Sequence, residues 1–141
     1  MPPRTLGGCR ILATGSRLVV CREPSAAGPA VLLESSGAVL WDRRFRIAVA
    51  RPPAASLDRP MLTAGPLGPS GWRPLASTAA AAAIERAVAT VPPAARTTLP
   101  AVRDEEGLLG VPSLDLWHER AQDVRSRISV RFVPPHALGP P

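Results

Sequence analysis

The sequence predicts an α+β domain made mainly of short antiparallel β-strands with one alanine-rich helix. Three observations carry that reading. Short apolar, β-branched runs recur between turn formers, as in Arg17-Leu18-Val19-Val20-Cys21-Arg22 after Gly15-Ser16. One stretch alone, Ala79-Ala80-Ala81-Ala82-Ala83-Ile84-Glu85-Arg86-Ala87-Val88, has sustained helical composition. Finally, 18 prolines and 11 glycines in 141 residues interrupt the chain too often for long elements, while a hydrophobic fraction of 45% suffices for one ordinary core.

Residues 9–14 and 17–22 form a predicted hairpin around Gly15-Ser16, where a glycine in the first central position suits a type II′ turn. That register sets Cys9 opposite Arg22 and Arg10 opposite Cys21, so the two cysteines face opposite sides of the sheet and are not bridged. Val31-Leu32-Leu33 is a short strand. Val39-Leu40-Trp41 and Phe45-Arg46-Ile47-Ala48-Val49 form a second hairpin, with Asp42-Arg43 as its turn. Residues 51–74 are dense in proline and glycine and read as a surface loop anchored by Leu67-Gly68 and Gly71-Trp72. Ser77 or Thr78 caps the helix, and Pro92-Pro93 ends it. Leu99-Pro100-Ala101-Val102 and Leu108-Leu109-Gly110-Val111 are strands joined by the acidic turn Asp104-Glu105-Glu106-Gly107. The last element runs from Arg125 to Val133, with Ser126, Ile128, Val130 and Phe132 on one face and Arg125, Arg127, Ser129 and Arg131 on the other. Residues 4–135 thus read as a single domain and 136–141 as a disordered tail.

The net charge of +6 and a pI near 11.3 come from arginine alone, for the chain has no lysine. Counterion release makes such a domain a polyanion binder, which suits RNA. The bland alternative is GC-rich codon usage, and asparagine and tyrosine are absent too. No stretch approaches the roughly 18 uninterrupted apolar residues of a membrane span, and the N-terminus has no apolar signal region. A cytoplasmic protein with two reduced cysteines is therefore expected, with no membrane partner.

The arginines form two constellations. Arg125, Arg127 and Arg131 on one strand face stand at multiples of about 6.6 Å, a spacing that can follow phosphates along one RNA strand. The alternative is a charged, solvated edge strand that resists aggregation. Arg43, Arg44 and Arg46 form the second cluster, with the same two readings. Trp41 is a core residue by its apolar neighbours, and Trp117, beside His118, Glu119 and Arg120, is the tryptophan most open to solvent or a stacked base.

No catalytic, cofactor or metal site is expected. Cys9 and Cys21 are twelve residues apart and His118 and His136 eighteen, neither of them a ligand spacing. Asp104, Glu105 and Glu106 read as solvated turn charges, and no glycine-rich segment cradles a phosphate between a strand and a helix.

Several phrases, in order and at their separations, carry a family resemblance. They are Gly7-Gly8-Cys9-Arg10-Ile11, Val20-Cys21-Arg22-Glu23-Pro24, Trp41-Asp42-Arg43-Arg44-Phe45-Arg46, Leu99-Pro100-Ala101 and Gly107-Leu108-Leu109-Gly110-Val111-Pro112. Over about residues 4–135 the chain resembles the C-terminal region of bacterial, alphaproteobacterial-type tRNA(Ile)-lysidine synthetases. The resemblance implies an ATP-dependent ligase that attaches lysine to the wobble cytidine of tRNA(Ile) through an adenylated cytidine. It also implies that this region binds tRNA, without cofactor of its own, beside an N-terminal catalytic domain that uses ATP. That domain's Ser-Gly-Gly-x-Asp-Ser loop has no match here; the nearest string, Leu6-Gly7-Gly8-Cys9, lacks the serines and the aspartate. The chain is then a truncated gene product or an isolated domain, and Met1 close before Gly7-Gly8-Cys9 reads as a start inside a longer frame. The family commonly has a glycine between the aspartate and arginine of the second hairpin's turn, and Arg43 departs from that. A stand-alone RNA-binding module and a structural or protein-interaction domain remain the alternatives.

Overall fold

The computed structural model describes residues 4–34, 36–52, 61–77 and 81–133. The first sheet is a meander of β1 (Arg4–Leu6), β2 (Cys9–Thr14) and β3 (Arg17–Arg22). β2 and β3 pair in the expected register, Cys9 with Arg22 and Arg10 with Cys21. Gly15 takes a φ of +60°, as the expected turn requires, and both cysteines are free thiols. β1 was not expected. It pairs Leu6 with Cys9 around Gly7-Gly8, whose φ values of +59° and +79° are open to glycine at no steric cost.

β4 (Val31–Leu33), β5 (Gly37–Trp41) and β6 (Phe45–Val49) follow. Beyond them come β7 (Leu62–Pro66), the helices α1 (Ala81–Thr90) and α2 (Pro93–Arg96), and the strands β8 (Pro100–Asp104), β9 (Gly107–Val111) and β10 (Leu116–Trp117). The short helix α3 (Gln122–Arg125) leads into β11 (Ile128–Phe132). All the strands pair antiparallel, giving a five-stranded sheet of order β10-β9-β8-β7-β4 and a three-stranded sheet of order β11-β6-β5. The α+β class, mainly strands with an alanine-rich helix, is the observed one.

The five-stranded sheet is the middle layer. On one face Ala64, Val102, Leu109 and Trp117 pack with Trp41, Phe45, Ile47 and Val49 of the three-stranded sheet and with Ile128. On the other, Ala101, Leu108, Val111 and Leu116 pack with Leu67, Trp72, Leu75 and the α1 face of Ala83 and Ala87. Consecutive residues of β8 and β9 therefore enter different cores, which is why those strands read as apolar runs rather than alternating ones. Gly110 is required by the first core, because a Cβ there would lie 2.3 Å from the Trp117 ring. Burying Trp41 satisfies its indole N–H, which donates to the Pro29 carbonyl at 2.9 Å.

Four expectations are corrected. The segment 51–74 is no uninterrupted loop: Leu62–Pro66 forms β7, between β4 and β8. Its Gly65 lies against Ala30, and Pro66 sits at the strand end, where a missing N–H costs little. The strand expected from Arg125 begins only at Ile128, because the preceding residues wind into α3 and a turn. Trp117 is buried, its N–H donating to Asp115 Oδ1 at 3.1 Å. The β5–β6 turn has three residues, Asp42-Arg43-Arg44, since Trp41 pairs with Phe45. The helix start expected at Ala79-Ala80, its cap candidate Thr78 and the tail 136–141 lie outside the described residues. Among those described, no helix is long and apolar enough to cross a membrane.

Candidate nucleic-acid interface

Strand pairing decides which arginines meet. On β6, Phe45, Ile47 and Val49 point into the core, so Arg46 points outward. Arg46 stands opposite Arg131 of β11 on one side and Leu40 of β5 on the other. The outer face of this sheet thus carries a row of Arg131, Arg46 and Leu40, with Arg43 at the tip of the adjoining turn. Arg43, Arg46 and Arg131 are exposed, and among the described residues none makes a salt bridge.

The other three arginines singled out from the sequence are tied down. Arg125 ends α3 and grips Asp115 with two hydrogen bonds of 3.0 and 2.8 Å. Arg127 lies in the turn before β11 and donates to the Ala50 carbonyl at 3.2 Å. Arg44 binds Asp42 at 2.7 Å, donates to the Thr98 carbonyl at 3.1 Å and lies 4.9 Å from the centroid of the Phe45 ring. The stripe Arg125-Arg127-Arg131 does not form as a strand face. Arg131 joins Arg46 and Arg43 of the second cluster instead.

Asp42 is the residue that organises this end of the molecule. Its side chain is 2% exposed and accepts from Arg22, from Arg44 and from the Gly28 backbone N–H. Burial pushes its pKa up, but the hydrogen bonds from Arg22 and Arg44 outweigh this and hold the carboxyl below its ordinary range. The Arg22–Asp42 pair joins the first sheet to the β5–β6 turn. Asp42 and Arg43 both take left-handed φ values, +53° and +58°, so Arg43 occupies a conformation that glycine would adopt without strain.

Asp104, expected to be a solvated turn charge, is instead paired. Asp104 binds Arg120 through two hydrogen bonds, of 2.5 and 2.9 Å, and the Arg120 hydrogen bond holds its pKa low. Sequence reasoning missed both Arg22–Asp42 and Asp104–Arg120, whose partners are 20 and 16 residues apart with no local pattern linking them.

Among the described residues no group of three or more His, Cys, Asp or Glu is placed to hold a metal ion. What the face offers chemically is three guanidinium groups without salt bridges among the described residues, on the outer face of the three-stranded sheet and its adjoining turn, which suits contact with phosphates. Compared with protein-family models, with curated proteins and with solved structures, the chain gives no match.

Proposed function

We propose that this chain binds RNA through Arg43, Arg46 and Arg131, as the tRNA-holding C-terminal region of a tRNA(Ile)-lysidine synthetase in the cytoplasm. The observation that carries the reading is the pairing of Arg46 with Arg131. Two like charges face each other across adjacent strands, an arrangement that costs stability unless an anion relieves it. The net charge of +6 adds long-range attraction for a polyanion. The family assignment rests on the resemblance alone. In it, adenylation and lysine transfer belong to an ATP-using catalytic domain, and this region's part is to hold the tRNA body. Phosphate contacts fix position without reading sequence, so tRNA(Ile) and unrelated tRNAs should bind alike here. Titration of tRNA across a salt series tests the reading: affinity that falls steeply with salt supports it, and absent or salt-independent binding contradicts it.

A second reading, a protein-interaction domain, draws on a different surface. Leu6, Leu18 and Val20, on one face of the first sheet, are 75%, 68% and 64% exposed. Apolar area of this kind favours a protein partner. Binding that is insensitive to salt and lost on Leu18→Ser would favour this reading over RNA.

A further inference from the structure

A cleft of about 570 Å³ opens between the first sheet and the β5–β6 turn, where the outer arginine row ends. Its lining includes Val20, Leu40 and Phe132 as apolar walls and Arg22, Arg43 and Arg44 at its polar end. Its volume falls in the range of roughly 300–1,000 Å³ usual for small-ligand sites. Phe132 stands edge-on to Phe45, with centroids 5.6 Å apart, and is still 56% exposed. An aromatic ring left this open at the mouth of a cleft is a platform for another flat ring.

The charges around the cleft favour an anion-bearing ligand. Asp42, the one carboxylate in the lining, is already engaged by Arg22, Arg44 and the Gly28 N–H. Three arginines set against it leave the wall positive. Position completes the argument. The outer row runs Arg131, Arg46, Leu40, and Leu40 is also part of the cleft wall. Arg43, in the turn beyond Leu40, lines the cleft too, so a strand whose phosphates meet Arg46 and Arg43 passes the cleft, into which Phe132 enters from the other face of the sheet, beside Phe45.

The geometry points to this cleft as the seat of one unpaired nucleobase of an RNA strand, stacked on Phe132 and flanked by Leu40 and Val20. The inference rests on the RNA-binding reading above and narrows its substrate to RNA with an unstacked base. Bases locked in a duplex cannot present a ring face to a side chain, whereas looped or bulged bases can. Stacking tolerates any base, so the site selects for unpairing and not for sequence.

The test compares two RNA duplexes of equal length and charge, one fully paired and one with a single bulged fluorescent adenine analogue. The bulged RNA should bind about tenfold tighter, with quenching of the analogue on binding. Phe132→Ala should abolish both the preference and the quenching while leaving the salt slope unchanged. Leu40→Ser, on another wall of the cleft, should reduce them in the same way and keeps the test valid if the phenylalanine variant fails to fold. Equal affinity for the two duplexes with an intact salt slope would overturn the base site and leave RNA binding standing. Failure of both duplexes to bind would overturn both.

Discussion

Arg46 of β6 stands directly opposite Arg131 of β11, and no carboxylate among the described residues pairs with either. A like-charge cross-strand pair is unfavourable where an opposite-charge pair contributes about 0.2–1 kcal/mol. The variant Arg131→Glu should therefore raise stability by up to about 1 kcal/mol in urea unfolding and at the same time weaken RNA binding. A gain in stability without loss of RNA affinity would mean that the pair is merely tolerated.

Asp42 should be the most sensitive polar position described. Asp42→Asn leaves Arg22 and Arg44 without their anion, which should cost about 2–3 kcal/mol, the scale of hydrogen bonds to charged groups. The native pKa is lowered, so this stabilisation is complete above the ordinary carboxylate value of about 3.9 and is lost as pH falls through the lower native value. Urea unfolding at stepped pH should show wild type and Asp42→Asn well separated near neutrality and converging below about pH 4. A gap that persists undiminished at low pH would show that the ionised carboxylate is not its source.

Arg43 carries a conformational cost at its φ of +58°. Glycine there removes a left-handed penalty of about 1–2 kcal/mol and adds unfolded-chain entropy of about 0.5–1 kcal/mol. Arg43→Gly should come out neutral to about 1 kcal/mol more stable. Differential scanning calorimetry reads this directly, and a clear fall in melting temperature would contradict the turn geometry.

The cysteines should resist pairing. Cys9 and Cys21 lie on opposite faces of β2–β3, and Cys21 is buried with its thiol pushed up by burial. Mild oxidation should leave the intact mass unchanged, and a loss of two hydrogens without dimer formation would show the register to be wrong.

The elements legible in the sequence are those whose signals are local. The hairpin at Gly15-Ser16 was readable with its full register because turn type and strand alternation agree there. β7 was not, because Leu62-Thr63-Ala64-Gly65-Pro66 has the composition of a loop and is a strand only by virtue of the neighbours on either side. The arginine row was half legible. Alternation along β11 placed Arg131 outward, but the strand's true start removed Arg125 and Arg127, and pairing between strands far apart in the chain set Arg46 opposite Arg131. The Asp42 and Asp104 ion pairs left no trace in local sequence, since each is made by chain segments that meet only in the fold.

The central claim is that Arg43, Arg46 and Arg131 contact RNA phosphates while Arg44, Arg125 and Arg127 do not. Each phosphate contact contributes about 0.7–0.9 to the slope of log affinity against log salt. The measurement is tRNA affinity by fluorescence anisotropy across a salt series, for wild type, for the Arg43→Gln/Arg46→Gln/Arg131→Gln variant and for an Arg125→Gln control. The account predicts a slope shallower by about two to three in the triple variant, with far-ultraviolet circular dichroism unaltered and the control slope equal to wild type. A folded triple variant with the wild-type slope would contradict it.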